Sequence, residues 1–197
     1  MTNIQTYDYA FIGLGAANSL LIKNLHQNNL LKGKSILIFE PDEKNLNDKS
    51  FCYWANPKEN NTLGISDLSK VCWNEIKVNQ APSEKLNNLK YFYINSLDLY
   101  NQTKSILSYY SVKLVAKVVN HLDTTRDGEI VIKNGVDNYY PKFVFDSRPP
   151  KWHDLKSNES FLWQSFIGWR IELDSELEYS EPKTFTMMDF GVEQNNS

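Results

Sequence analysis

Near the start of the chain the apolar residues Tyr9-Ala-Phe-Ile12 lie side by side, and the Gly-rich run Gly13-Leu-Gly-Ala-Ala-Asn18 cuts them off. Apolar positions 17, 20, 21 and 25 then recur at helical spacing as far as His26. The pattern predicts a strand over 9–12, a tight turn, and a helix over 16–26. A second apolar run, Ile36 to Phe39, ends in Glu40 and Pro41, where proline stops the strand and turns the chain. Strand, helix and strand together have the size of one βαβ unit, the mononucleotide-binding half of a doubly wound sheet.

Beyond Asp42 the pattern weakens. A polar insertion runs from about 42 to 90, and its one aromatic island, Phe51-Cys-Tyr-Trp54, reads as a loop anchor or as a cofactor or substrate contact. Lys90 to Asn95 alternates as a strand, and Leu99, Thr103, Ile106 and Leu107 give Ser96 to Tyr109 a helical spacing. Val112–Val119, Glu129–Lys133 and Lys142–Phe145 read as successive strands of a small meander, with Asp127-Gly128 and Asn134-Gly135 as turns. Pro149-Pro150 breaks the pattern, and Phe161–Leu173 and Thr184–Phe190 read as two more strands. The expected organisation is an α/β, Rossmann-like nucleotide-binding domain over 1–150, then the start of a β-rich domain over 151–197.

Composition narrows the function classes. At 197 residues, 41% hydrophobic and 23% charged, the chain falls among globular proteins able to bury a core. A net charge of −3 without any lysine or arginine run argues against nucleic acid as a partner. No apolar stretch approaches the roughly 20 residues needed to cross a bilayer. The first residues carry no basic segment ahead of a long apolar one, so a cytoplasmic location is expected. Cys52 and Cys72, each close to an aromatic residue, suit reduced thiols, and with three scattered histidines no metal site is expected.

The Gly-rich turn carries the chemistry. Glycines between a strand and a helix let the backbone approach a pyrophosphate, which the unpaired N–H groups and positive end of the helix then meet. Gly13 and Gly15 fill the first two positions of a GxGxxG pattern, and Asn18 stands at the third, where its amide offers a polar contact near the phosphates. Glu40, at the end of the next strand, is placed to accept hydrogen bonds from ribose hydroxyls. A purely structural GxG turn and a solvated strand-end acid are the alternative readings.

Gly13-Leu-Gly-Ala-Ala-Asn18 also resembles the turn of lycopene cyclases, asparagine included. Ser50-Phe-Cys-Tyr-Trp54, Val144-Phe-Asp-Ser-Arg148, Gln164-Ser-Phe-Ile-Gly-Trp169, and Met187-Met-Asp-Phe190 with Gln194 are similar to that family's segments, in the same order. Pro149 departs from it, standing where the family usually has glycine. The resemblance implies an FAD-binding fold of the glutathione-reductase type, and an isomerase that closes the ends of lycopene into β-ionone rings with reduced FAD and NAD(P)H. Protonation of a terminal alkene, attack by the neighbouring double bond and loss of a proton would form each ring in a dry pocket. It implies cofactor contacts at Gly13, Gly15, Ala16, Asn18, Glu40, Asp146 and Arg148 and substrate contacts at Phe166 and Trp169, while Asp189 reads either as a structural acid capping a turn or as a functional carboxylate near the flavin. A C40 hydrocarbon substrate further implies peripheral membrane contact. The family's acidic segment, to which its proton chemistry is assigned, is expected beyond Ser197, so the chain reads as an N-terminal portion. A flavin-dependent reductase or monooxygenase of the same fold, or an inactive nucleotide-binding fragment, are the competing readings.

Overall fold

The computed structural model describes residues 5–62, 64–149, 171, 174–175 and 183–189. They divide into two units, one of residues 1–72 and 88–148 and the other of residues 73–87 and 149–197.

In the first unit, the second half of β1 (Gln5–Ile12) and β2 (Ser35–Phe39) beyond Ser35 are apolar on both faces, as strands at the centre of a parallel sheet must be. Phe11, Ile36 and Ile38 point to one face and pack with Leu14, Ile22, Leu25, Leu31 and Ile106. These come largely from α1 (Ala16–Gln27) and α3 (Ser96–Leu107), the two helices on that face. Ala10, Ile12, Leu37 and Phe39 point to the other, against Val119, Ile132 and Tyr139. The sheet has six strands in the order β8-β2-β1-β11-β10-β9, where β8 is Ser111–Val115, β9 His121–Thr124, β10 Ile130–Asn134 and β11 Asp137–Asp146. β8, β2, β1 and β11 run parallel, and β10 and β9 are antiparallel.

A second sheet of the order β3-β7-β4 joins β3 (Ser50–Ala55), β7 (Lys90–Asn95) and β4 (Val71–Trp73). Phe51 and Tyr53 face a small core of Ile65, Ile94 and Leu99, while Cys52 and Trp54 are exposed. Below it, α2 (Pro57–Thr62) opens on a reciprocal cap, in which Asn56 Oδ1 accepts from Glu59 N–H at 2.9 Å and Glu59 Oε2 accepts from Asn56 N–H at 3.0 Å. Its buried Asn60 receives the Tyr53 hydroxyl at 2.5 Å and donates to Ser69 Oγ at 3.3 Å. Asn60→Leu removes the acceptor of the half-buried Tyr53 hydroxyl, while Ser69 Oγ keeps its bond to Ile65 O at 3.1 Å, so thermal unfolding of that variant is expected to report a loss of about 1–3 kcal/mol.

The second unit contains the three-stranded sheet β12-β5-β6, built from β12 (Thr184–Met188), β5 (Glu75–Val78) and β6 (Glu84–Lys85). Trp73 and Phe185 bring their rings to 5.0 Å within it.

Several expectations change. The aromatic island at 51–54, expected as a loop anchor or as a cofactor or substrate contact, lies on a strand paired with β7. Val112–Val119 does not open the meander: β8 ends at Val115 and pairs with β2 at the far edge of the sheet. The meander is β9-β10-β11, and it includes a strand, His121–Thr124, that the apolar pattern missed because all its residues are exposed. The buried face of α1 is also rotated from the apolar reading. Asn18, Ser19, Ile22, Lys23 and Leu25 are buried, whereas Ala17 and Leu20 are exposed. Lys23 is tolerated inside because Gln102 accepts from its ammonium at 2.6 Å and Asp67 pairs with it at 3.4 Å. The strand expected over 161–173 lies outside the described residues.

Among the described residues no helix is long and apolar enough to cross a membrane, and no cluster of His, Cys, Asp and Glu could hold a metal ion.

Candidate functional site

Four parallel strands end at one edge of the main sheet, and β1 connects outward to β2 on one side while β11 lies on the other. That reversal of strand order is where open α/β sheets bind ligands, beyond the carboxyl ends of the strands. Gly13 occupies the spot. Its φ of +84° belongs to the region open mainly to glycine, and a Cβ there would stand 2.7 Å from Ser147 Oγ. Its N–H donates to Phe39 O at 2.8 Å, which ties the turn to β2. Gly15 caps α1 with extended backbone, and no atom lies within 4 Å of where its Cβ would be. Ala16 opens the helix, half-buried. The N–H groups of Ala16, Ala17 and Asn18 have no carbonyl a turn earlier to bond, so the helix presents donors and positive potential at this edge.

Glu40 is buried, with 6% of its surface exposed, and its carboxylate is turned onto the Gly-rich turn. Oε2 accepts from Leu14 N–H at 2.6 Å and Oε1 from Asp42 N–H at 3.0 Å. Lys44 places its ammonium 3.6 Å from Glu40 Oε1, 3.4 Å from Asp42 Oδ2 and 5.4 Å from the centre of the Tyr100 ring. Burial works against that ammonium, but Glu40, Tyr100 and Asp42 outweigh it and hold the Lys44 pKa above the usual lysine value. Lys44 reaches this position from a backbone φ of +51°, and Lys104 Nζ fixes the loop by donating to Glu43 O at 2.8 Å and Lys44 O at 3.0 Å. Beside Glu40 opens a cavity of about 360 Å³ walled by Ile38, Leu107, Tyr110, Val112 and Leu114. Asp42, Glu43, Lys44 and Lys104 line it too, so it pairs an apolar wall with charged groups of both signs beside Glu40, a setting that suits a flat heterocycle carried on a diol.

Asn18 is 3% exposed, and its amide nitrogen lies within hydrogen-bonding distance of four acceptors: Ile12 O (3.1 Å), Gly13 O (2.7 Å), Phe145 O (3.2 Å) and Ser147 Oγ (3.2 Å). Asp146 and Arg148 pair with each other. Arg148 Nη2 lies 2.7 Å from Asp146 Oδ2, its Nε 2.9 Å from Oδ1, and Nη1 donates to Val119 O at 2.6 Å. These bonds lower the Asp146 pKa, against its partial desolvation, and raise that of Arg148. A carboxylate whose folded pKa is depressed stabilises the fold above its unfolded value of about 4 and loses that contribution as pH falls further. Asp146→Asn is therefore expected to flatten the fall in melting temperature below pH ~4.

The structure thus gathers Gly13, Gly15, Ala16, Asn18 and Glu40 about one turn, with Asp146 on the strand next to Ile12 and Arg148 just after it. Asp189 directly follows β12 in the second unit and is exposed. Phe166 and Trp169 lie outside the described residues. Sequence reasoning missed Lys44, Lys104 and Ser147. Ser147 was flanked by two nominated residues, but Lys44 and Lys104 look like ordinary surface lysines until the loop is seen folded back.

Comparison with known proteins adds the family. The family model described as lycopene cyclase protein matches residues 8–197. The chain belongs to the lycopene cyclase family. Among curated proteins none matches it. Among solved structures it is similar to the p-nitrophenol 4-monooxygenase PnpA from Pseudomonas putida, with 12% identity and a TM-score of 0.55 over 73% of this chain and 41% of that one. It is also similar to a mutant of PqsL from P. aeruginosa, with 12% identity and a TM-score of 0.52 over 71% and 42%. At that identity the likeness shows the α/β fold alone. This lycopene cyclase family chain spans about two-fifths of the length of those two structures, at 41% and 42%.

Proposed function

We propose that this chain is the FAD-holding portion of a lycopene β-cyclase, with residues 1–150 as a cofactor domain of the glutathione-reductase type. The family match over residues 8–197 carries the reaction. The turn geometry supports the cofactor. Gly15 leaves open space, α1 points its N-terminus at the strand-end edge, and Glu40 lies 3.6 Å from the Lys44 ammonium beside a cavity. In this reading Glu40 receives the adenosine ribose, the cavity takes the purine, and Gly13, Gly15 and Ala16 let the pyrophosphate approach. Asp146 and Arg148, locked together, support the loop beside it.

Reduced FAD, with NAD(P)H as the source of electrons, would supply an electron-rich surface in a site where an alkene is protonated and a cation forms. The chain's own part is to bind and orient that cofactor and to exclude water. Phe166 and Trp169 are proposed to line the path of the linear carotenoid, and Asp189 to provide a carboxylate. The protein works in the cytoplasm, reaching its membrane-dissolved substrate by peripheral contact.

Anaerobic incubation of a full-length version that includes the acidic segment with lycopene, FAD and NADPH is expected to yield cyclised carotenoid without net consumption of NADPH. Unchanged lycopene, where a control cyclase turns over, would refute the reaction. Oxidation of NADPH in proportion to product would instead favour a reductase or monooxygenase. Failure of the chain to take up FAD at all would remove the cofactor reading as well.

A further inference from the structure

The third position of the Gly-rich turn usually holds glycine so that helix and strand pack closely. Here Asn18 fills it, buried, with its amide nitrogen turned inward. That one NH₂ group has two hydrogens to share among the carbonyls of Ile12, Gly13 and Phe145 and the hydroxyl of Ser147, at 2.7–3.2 Å. Ser147 Oγ itself donates to Ile12 O at 2.9 Å, and Ser147 N–H to the same carbonyl at 3.0 Å. The ends of β1 and β11 are therefore stitched together by one side chain from α1, at the point where the strand order reverses.

Carbonyl oxygens at such an edge carry partial negative charge and would repel a phosphate passing over them. We propose that Asn18 is a positioning residue for a bound dinucleotide's pyrophosphate: its amide draws three strand-end carbonyls inward and away from the anion's path. The N–H groups of the first turn of α1 are then left to meet the phosphates. This rests on the FAD reading but assigns Asn18 a different part in it. Asn18 acts through the backbone of the turn and does not touch the cofactor.

The test separates phosphate positioning from mere folding. Asn18→Asp keeps the shape of the side chain and replaces the donor with an oxygen facing three carbonyls. Binding of FAD, ADP and adenosine is measured by calorimetry, alongside the melting temperature without ligand. For Asn18→Asp the affinities for FAD and ADP are expected to fall together by about thirtyfold or more, while adenosine, which has no phosphate, binds as before. Asn18→Gly restores the usual glycine and serves if the aspartate variant does not fold. It is expected to lose about tenfold in FAD and ADP affinity, again sparing adenosine. Equal losses for all three ligands, or a lower melting temperature with unchanged affinities, would mean that Asn18 only holds the fold, and would overturn the proposal. If the unaltered chain binds neither FAD nor ADP, the cofactor reading itself fails, and this inference with it.

Discussion

Gly13→Ala is expected to abolish retention of FAD and to lower the melting temperature markedly. The position has a φ of +84°, where a side chain costs about 1–3 kcal/mol in backbone strain. The added methyl would also stand 2.7 Å from Ser147 Oγ, which cannot simply swing away because it donates to Ile12 O and meets the Asn18 amide. Relief must come from the backbone, by parting β1 from β11 or by pulling the turn off Phe39. Either movement displaces the donors that a pyrophosphate would use, so a loss of at least about a hundredfold in FAD affinity, ~2.8 kcal/mol, is expected in equilibrium dialysis. A variant that retained FAD as well as the unaltered chain would show that this turn does not hold the cofactor.

Replacing Glu40 should do comparable damage for a different reason. Glu40→Leu removes the acceptor for Leu14 N–H and leaves the Lys44 ammonium with Asp42 as its remaining ion-pair partner. Stranding one member of a buried pair costs roughly 3–5 kcal/mol, and the contact with exposed Asp42 brings the expected value towards the lower end. The double variant Glu40→Leu with Lys44→Leu removes both charges and should recover much of that stability in a denaturant titration. FAD affinity should not recover with it, because the ribose would still lack its acceptor. Recovery of both together would place Glu40 among purely structural residues.

What could be read from the sequence follows from how each residue makes its partners. β1, α1 and β2 were legible because strands buried on both faces leave continuous apolar runs, and the turn between them needs glycine at Gly13 for a conformational reason. β3 was hidden because only alternate residues, Phe51 and Tyr53, face a core, and because its partner β7 lies beyond the polar insertion. β8 was visible as a strand, but its pairing with β2 was not, since nothing local distinguishes a neighbour made across the sheet from one made along the chain. The inward turn of Asn18 and Lys23 was illegible for a related reason. A polar side chain on a helix signals solvent unless the acceptors waiting for it are known, and those of Asn18 come partly from Phe145 and Ser147.

That last separation has a consequence for how the protein is made. β1 must find β11, and the contact between Ser147 and Ile12 spans 135 residues. At ~5–20 residues per second of synthesis, β1 waits roughly 7 to 27 seconds for that neighbour. Through that interval a strand apolar on both sides has one edge unpaired, the kind of surface that recruits other chains. Slower elongation before β11, or a warmer host, should therefore raise the aggregated fraction before any change appears in the stability of the finished fold.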